Sequence, residues 1–287
     1  MMAEGLEYNE DQRAVLSLLK GKEKVLLMAA PSFVVDFSYL SFVPTMKGLG
    51  FDLVSELTFG AKEVNEAYHA YIKRNKKKQE IFIASVCPMI VSLVKGQAPE
   101  LAKYLLPFDS PMTAMAKILG KNNPKHKLVF LAPCNAKKAE AKKAGTIDAV
   151  VTFREMKEIV QKEKPKKKGK GHLFDRYYND FTKIYPLSGG LAATLHAKDI
   201  LKKEEMVSYD NCKNLQRVFD RHSGKVFYDL LFCPGGCIGG PGVESRLPLA
   251  KRKKKVLDYR KFARREKIGE RRGLNKYTKG LNYRTKF

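Results

Sequence analysis

The sequence has no tryptophan, no cysteine before Cys87, and few acidic residues for its size. Only 30 Asp and Glu stand against 55 Lys and Arg, giving a net charge of +25. So strong a field favours acidic partners: nucleic acid, an anionic membrane surface or an acidic electron carrier. Long apolar runs are also missing. The longest, Val25 to Val35, is broken by Pro31 and Ser32. It falls well short of the roughly 20 residues that cross a bilayer, so no membrane span is expected. Met1 to Gly5 is neither basic nor followed by an apolar core, so no secretory signal is read and a cytoplasmic location is expected. In a reducing compartment, five cysteines serve as metal ligands or buried thiols rather than disulfides.

What is present is enough for a sizeable core: 287 residues, 44% of them hydrophobic. The charge is concentrated at one end. Lys251 to Phe287 holds 16 Lys and Arg against 3 Asp and Glu. A second basic run, Lys162 to Lys170, reads as a solvated loop. We expect one domain over residues 1–248, in two lobes divided near residues 110–125. A basic tail over 249–287 is expected to be helical and to wrap the core.

Apolar periodicity alternates strand with helix. The first 20 residues read as a helix with Leu6, Val15, Leu16, Leu18 and Leu19 as apolar points. Val25 to Ala30 reads as a buried strand, and Phe33 to Leu49 as a mixed crossover interrupted near Pro44. Val64 to Lys76 is an amphipathic helix, and Ile81 to Val86 a strand ending at Cys87-Pro88. Helix is expected at 112–119, 136–144, 155–162 and 191–202, and strand at 128–132, 149–152 and 227–232. This is α/β, with mainly parallel sheets flanked by helices. In such sheets, sites form beyond the C-terminal ends of strands, where three of the cysteine sites fall.

Cys233-Pro-Gly-Gly-Cys237-Ile-Gly-Gly-Pro-Gly is the most informative segment. Its prolines and glycines make it a loop. Two thiols separated by three residues can share a metal centre, and glycines let backbone N–H groups approach cluster sulfurs. No C-x-x-C pair or clustered histidine points to zinc instead. Taken singly, Cys87 and Cys134 read as buried thiols. With the loop pair they make four thiolates, the usual count for a 4Fe–4S cluster. Cys212 has no such setting.

At these residues the chain resembles the catalytic domain of iron-only (FeFe) hydrogenases. Ala-Ser-Val-Cys-Pro (84–88) is similar to the family's Thr-Ser-Cys-Cys-Pro. Ala-Pro-Cys-Asn-Ala-Lys-Lys-Ala-Glu (132–140) is similar to Met-Pro-Cys-x-x-Lys-Lys-x-Glu. Asp-Leu-Leu-Phe-Cys-Pro-Gly-Gly-Cys-Ile-Gly-Gly (229–240) is similar to Glu-x-Met-Ala-Cys-x-Gly-Gly-Cys-x-x-Gly. Met-Ala-Ala-Pro-Ser (28–32), Asp-Ser-Pro-Met (109–112) and Ser-Gly-Gly (188–190) follow the same order. The resemblance covers residues 20 to 245.

The resemblance implies a cluster between the lobes: a 4Fe–4S cube bridged through a cysteine to a diiron subcluster with CO, cyanide and a dithiolate amine. It implies that Cys87, Cys134 and Cys233 hold the cube and that Cys237 also bridges. Lys137 would donate to a cyanide. Ala30, Pro31, Ser32, Pro133 and Gly236 would line or shape the cofactor pocket. The implied activity is reversible oxidation of H2 and reduction of protons. The implied partners are maturation factors that supply the diiron unit and an acidic carrier such as ferredoxin. Val86 stands where the family has a second, proton-relaying cysteine, and Leu106 where a relay serine is expected. Glu66 falls at a relay glutamate. Met112, Ala132 and Leu231 replace residues expected beside the diiron unit. No C-x-x-C-x-x-C run marks a ferredoxin-like extension, so electrons are expected to enter the cube from outside.

Three other readings use the same residues. An H2 or redox sensor would tolerate Val86. An iron–sulfur assembly factor of the same superfamily would keep the four cysteines without the diiron unit. A nucleic-acid binder would use Tyr259, Phe262, Tyr277 and Tyr283, interleaved with basic residues; packing of that aromatic face on the core is the reading we favour, so nucleic acid is disfavoured.

Overall fold

A computed structural model describes residues 8–169, 171–177, 179–265 and 275–287. Leu6, Lys170 and the stretch 266–274 of the basic tail lie outside these residues. The first helix, α1 (Glu10–Lys20), begins at a capping box in which Asn9 and Gln12 satisfy each other's backbone N–H groups.

Among the described residues seven strands form two sheets, and every pairing between these strands is parallel. The larger contains β1 (Lys24–Ala29), β2 (Leu53–Glu56), β4 (His126–Ala132) and β5 (Ala149–Thr152) in the order β2-β1-β4-β5. The smaller contains β3 (Phe82–Ile83), β6 (Met206–Tyr209) and β7 (Phe227–Leu230) in the order β3-β7-β6. β1 and β4 are buried nearly throughout, as expected for parallel strands covered on both faces. The fold is the α/β architecture read from the sequence.

A single boundary near 110–125 does not describe how the chain is divided. It builds β1 and β2, crosses to β3, returns for β4 and β5, and crosses again for β6 and β7. The cause is the pairing of β1, which has β2 on one side and β4 on the other, so the chain must come back to complete the first sheet. The expected mixed crossover resolves into a short 3-10 turn at Pro31–Val35 and α2 (Tyr39–Leu49). Pro44 lies inside α2 and does not interrupt it. The carbonyl that loses its donor belongs to Leu40, a residue that is 61% exposed. The helix expected at 191–202 stops early. α8 spans only Gly190–Thr194, and His196 then takes a left-handed conformation with φ 53°.

Two helices meet through a glycine. Gly60 on α3 (Thr58–Asn75) lies against α5 (Pro111–Asn122), where a Cβ would stand 2.6 Å from Cβ of Met115. The remaining helices are α4 (Pro88–Gln97), α6 (Ala136–Ala144), α7 (Phe153–Glu163) and α9 (Leu215–Arg221).

The basic tail begins as α10 (Leu249–Ala263), which buries Val256, Tyr259 and Ala263. Residues 277–285 run along the core: Asp109 N–H donates to the Tyr283 carbonyl at 2.7 Å, and Asn122 to that of Tyr277 at 3.0 Å. Tyr259 is buried, Phe262 packs on Tyr39 and His172, and Tyr277 on Tyr177. Tyr259 and Tyr277 are thus turned to the protein, while Phe262 remains 41% exposed. No helix among the described residues is long and apolar enough to cross a membrane.

Candidate metal centre

The segments that follow the C-terminal ends of β1, β3, β4 and β7 line one cavity of about 80 Å³. β1 supplies Ala30, Pro31 and Ser32, and β4 supplies Pro133 and Cys134. From the other sheet come Val86, Cys87, Leu231 and Cys237. The Ala30 N–H donates to the Leu131 carbonyl at 3.1 Å, which fixes the β1 and β4 ends side by side. Leu57, Met112 and Phe130 complete largely apolar walls. Cys233 and Gly236 do not line the cavity; they stand behind Cys237 in the loop.

The thiols feel one another. Burial pushes the Cys237 thiol well above the usual range, and Cys134 and Cys87 add to the effect. Burial likewise pushes Cys233 up to about 11, reinforced by Cys87 and Cys134. Cys134 is raised by burial although Lys137 opposes the shift. A protein that buries thiols in this way keeps them protonated until a metal takes them as thiolates. Among the described residues, no three His, Cys, Asp or Glu side chains are arranged to hold a single metal ion. Cys87, Cys134 and Cys237 line the cavity wall, and in an iron–sulfur cluster each thiolate binds a different iron.

Two polar groups reach the cavity. Lys137, on the first turn of α6, donates to Glu140 Oε2 at 2.6 Å, Ser110 Oγ at 3.3 Å and the Val86 carbonyl at 3.4 Å. Burial works against its charge, but Glu140 and the nearby Cys134 and Cys87 carry its pKa above the ordinary lysine value. The ammonium is thus held charged. Ser32 is fully buried, and its hydroxyl has no hydrogen-bond partner. An orphaned buried hydroxyl costs about 1–3 kcal/mol, and a polar ligand in the cavity would remove that cost. Four thiols, a charged ammonium and an unpaired hydroxyl fit an iron–sulfur cluster carrying anionic ligands.

The loop glycines do a different task from the one expected. The N–H groups of Gly236, Gly239 and Gly240 donate to the carbonyls of Cys233, Gly236 and Cys237, so they are committed to turns rather than to sulfur. Gly236 instead supplies shape. At φ 84° a Cβ would lie 2.5 Å from the Pro186 carbonyl oxygen. Only glycine lets the loop pass Pro186, whose carbonyl accepts from the Cys237 N–H at 2.7 Å.

Glu66 is not brought to the cavity. Its side chain is 56% exposed and pairs with Lys62 at 3.2 Å in a separate cleft. The buried carboxylate of α3 is Glu63, raised by burial and by Glu66. Val86 and Leu106 are both buried, and neither carries a titratable group. Sequence reasoning passed over Glu140 as a site residue. The clue was available, since Glu140 follows Lys137 by three positions and shares its helix face. Cys212 is wholly buried in an apolar cluster against which Cys87 also packs, with burial first and then Cys87 raising its thiol to about 11.

Comparison with known proteins bears on the fold and the family. The structure of [FeFe]-hydrogenase HydA(ΔEFG), described in terms of stepwise H-cluster assembly, matches with a TM-score of 0.63 at 16% identity, over 86% of this chain and 88% of that one. A variant of [FeFe]-hydrogenase HydA1 from Chlamydomonas reinhardtii matches with a TM-score of 0.64 at 16% identity, over 91% and 90%. At this identity these likenesses speak for the fold. Residues 23–241 match the family described as iron only hydrogenase large subunit, C-terminal domain, and the chain belongs to that family.

Proposed function

We propose that the chain is a minimal FeFe hydrogenase, interconverting H2 with two protons and two electrons. The cofactor is a 4Fe–4S cube joined to a diiron subcluster with CO, cyanide and a bridging dithiolate amine. Cys87, Cys134, Cys233 and Cys237 would hold the group as thiolates. When bound, the group supplies the redox chemistry and the proton-accepting amine.

The chain's own residues bind, orient and shield. Lys137 presents a fixed ammonium to an anionic ligand, and Glu140 and Ser110 keep it from turning away. Ser32 offers an unused hydroxyl on the opposite wall. Ala30, Pro31, Pro133 and the apolar walls exclude water, which strengthens both contacts. Maturation factors would deliver the diiron unit, an acidic carrier would deliver electrons, and the cytoplasm is the fitting compartment. Glu66 has no part in this reading.

The observation that carries the proposal is the convergence of Cys87, Cys134, Cys237, Lys137 and the unpaired Ser32 on one cavity between two sheets. The test is anaerobic assembly of the cube and insertion of a synthetic diiron unit, then infrared spectroscopy and an H2 assay on one sample. We expect CO and cyanide bands, and H2 evolution from a reduced viologen that Cys237→Ala abolishes. Bands without turnover would leave a sensor-like cluster protein and sink the catalytic reading. An assembled cube that accepts no diiron unit would sink the cofactor assignment.

A further inference from the structure

The two basic runs of the chain meet at α2, around an apolar group left in water. Leu40, in the first turn of α2, is 61% exposed, more than any other large apolar side chain among the described residues. Beside it, Tyr39 packs on Phe262 of α10 with ring centroids 5.5 Å apart, and Phe262 is itself 41% exposed. On α10, Lys251, Lys255 and Phe262 are spaced by four and seven residues, so they share one stripe of the helix. Lys255 lies over the turn before α2 and donates to the Val35 carbonyl at 3.1 Å. The second basic run lies directly on α2: the Lys168 N–H donates to the Pro44 carbonyl at 3.0 Å, and a Cβ at Gly48 would stand 2.2 Å from the Lys166 carbonyl oxygen. His172, a few residues on, packs its ring 5.1 Å from Tyr39 and 5.3 Å from Phe262. One loop thus joins the lysines to the apolar pair.

Lys164, Lys166, Lys167 and Lys168 are exposed, with no acid among residues 164–168. Neighbouring acids are mostly engaged. Asp175 accepts from Lys47 at 2.8 Å and from the Val54 N–H at 2.7 Å, and Glu163 accepts from the Tyr8 hydroxyl at 2.7 Å. Asp258, on the α10 stripe, is exposed. Protruding apolar side chains ringed by lysines match an anionic bilayer. The apolar groups enter the boundary between headgroups and acyl chains, and the ammonium groups meet the phosphates. Single-stranded nucleic acid offers the same phosphates but needs free ring faces for its bases. Here the foremost apolar group is an aliphatic leucine, and the Phe262 ring is already packed by Tyr39 and His172. The chemistry favours lipid.

We propose that this face, Leu40 and Phe262 rimmed by the lysines of residues 164–168 and of the α10 stripe, seats the protein reversibly on an anionic lipid bilayer. None of these residues lines the cluster cavity, so the surface is a second site that does not depend on the hydrogenase reading. Both helices are fixed to the core, α2 through Phe42 and Met46 and α10 through Val256 and Tyr259. The face is therefore preformed, and binding orders no new segment.

The test is flotation of the full chain with vesicles of phosphatidylcholine containing about 30% phosphatidylglycerol, and with phosphatidylcholine alone, at low and high salt. Lys166→Glu/Lys167→Glu/Lys168→Glu is compared with Lys77→Glu/Lys78→Glu/Lys142→Glu, which reverses the same number of exposed lysines elsewhere. We expect binding to the anionic vesicles, with the loop variant losing about tenfold or more in partition at low salt and the control about threefold or less. Leu40→Gln, at a side chain too exposed to carry folding, should lose about fivefold, and salt should not erase that loss because apolar insertion is not screened. The chain has no tryptophan, so Leu40→Trp is a single reporter whose emission should shift to the blue on anionic vesicles. No binding to anionic vesicles, equal losses in the two lysine variants, or an unmoved Leu40→Trp emission overturns the proposal. Single-stranded RNA bound at a salt where vesicles are not would assign the face to nucleic acid and overturn it as well. None of these readouts needs a loaded cofactor.

Discussion

Lys183 Nζ, wholly buried, donates to the hydroxyl of Tyr259 at 2.7 Å, and both groups bond the same carboxylate, Glu56. Glu56 ends β2, immediately before Leu57 on the cavity wall, and Tyr259 lies in the middle of α10. The contact therefore pins the basic tail to the sheet edge beside the site. In the interior, removing one member of such a set costs more than the set contributes, because the survivor keeps an uncompensated charge. Lys183→Met should destabilise the protein by about 3–5 kcal/mol in urea unfolding. Tyr259→Phe should cost about 1–3 kcal/mol. Lys183→Met/Glu56→Gln should recover part of the loss. A Lys183→Met variant no less stable than Lys77→Met would show that the cluster does not secure the tail.

A second buried group makes stability depend on pH. Asp229, the first residue of the loop motif, is 1% exposed, and its carboxylate accepts the Ala192 N–H at 3.1 Å. Burial outweighs that bond and the nearby Ser208 hydroxyl, and its pKa is pushed up to about 6. A carboxyl raised on folding binds more protons in the native state than in the unfolded one. Stability therefore falls as pH rises from about 4 to about 6 and stays lower above that window. Asp229→Asn should remove this slope. Its advantage over the parent should grow across the window to at most about 3 kcal/mol at pH 7. Parallel stability curves for the two proteins between pH 4 and 7 would refute the assignment.

These buried polar groups mark where the sequence stopped being legible. Strands and helices with strong periodicity were read closely: Ala136–Ala144 and Ala149–Thr152 fall where expected. β2 and β6 were not: β5, of the same length, is an apolar Ala-Val-Val run, whereas β2 (Leu-Val-Ser-Glu) and β6 (Met-Val-Ser-Tyr) have a polar serine in place of that run. The four motif cysteines, Lys137 and the 28–32 segment could be read from motif order, and the structure places Cys87, Cys134, Cys237, Lys137 and Ala30 to Ser32 on the cavity wall, but not Cys233. The Lys183–Glu56–Tyr259 cluster could not be read, because in a chain with 55 basic residues nothing local distinguishes one buried lysine. The separation of Glu66 from the cavity depends on how α3 is rotated, which spacing alone does not fix.

The five cysteines should divide four to one. Cys212 sits in the apolar cluster with Ile83, Leu215 and Tyr228, and its N–H is bonded to the Leu231 carbonyl. Its side chain is packing. Cys212→Ala should lower stability by about 1–2 kcal/mol through a small cavity and leave the iron content per chain unchanged after reconstitution. Alanine at Cys87, Cys134, Cys233 or Cys237 should reduce iron and sulfide content sharply. Equal losses of iron at Cys212 and Cys134 would contradict the division.

Val86 tests how protons reach the cavity. It lines the wall beside Cys87, with its carbonyl bonded to Lys137, and a thiol at this position would face the cofactor. A relay also needs an onward acceptor. Leu106 is apolar and fully buried, and Glu66 is turned to another cleft and paired with Lys62. Val86→Cys alone thus places a titratable group at the inner end of a path whose next steps are missing. A working general acid–base group is worth roughly 10²–10⁴ in rate, so a connected relay would announce itself at that scale. We expect Val86→Cys to change viologen-driven turnover by much less, on the order of threefold, with the infrared bands preserved as a check on loading. A hundredfold rise would mean that an acceptor lies within reach of residue 86 after all. An unaltered rate would place proton entry on a route that avoids this wall.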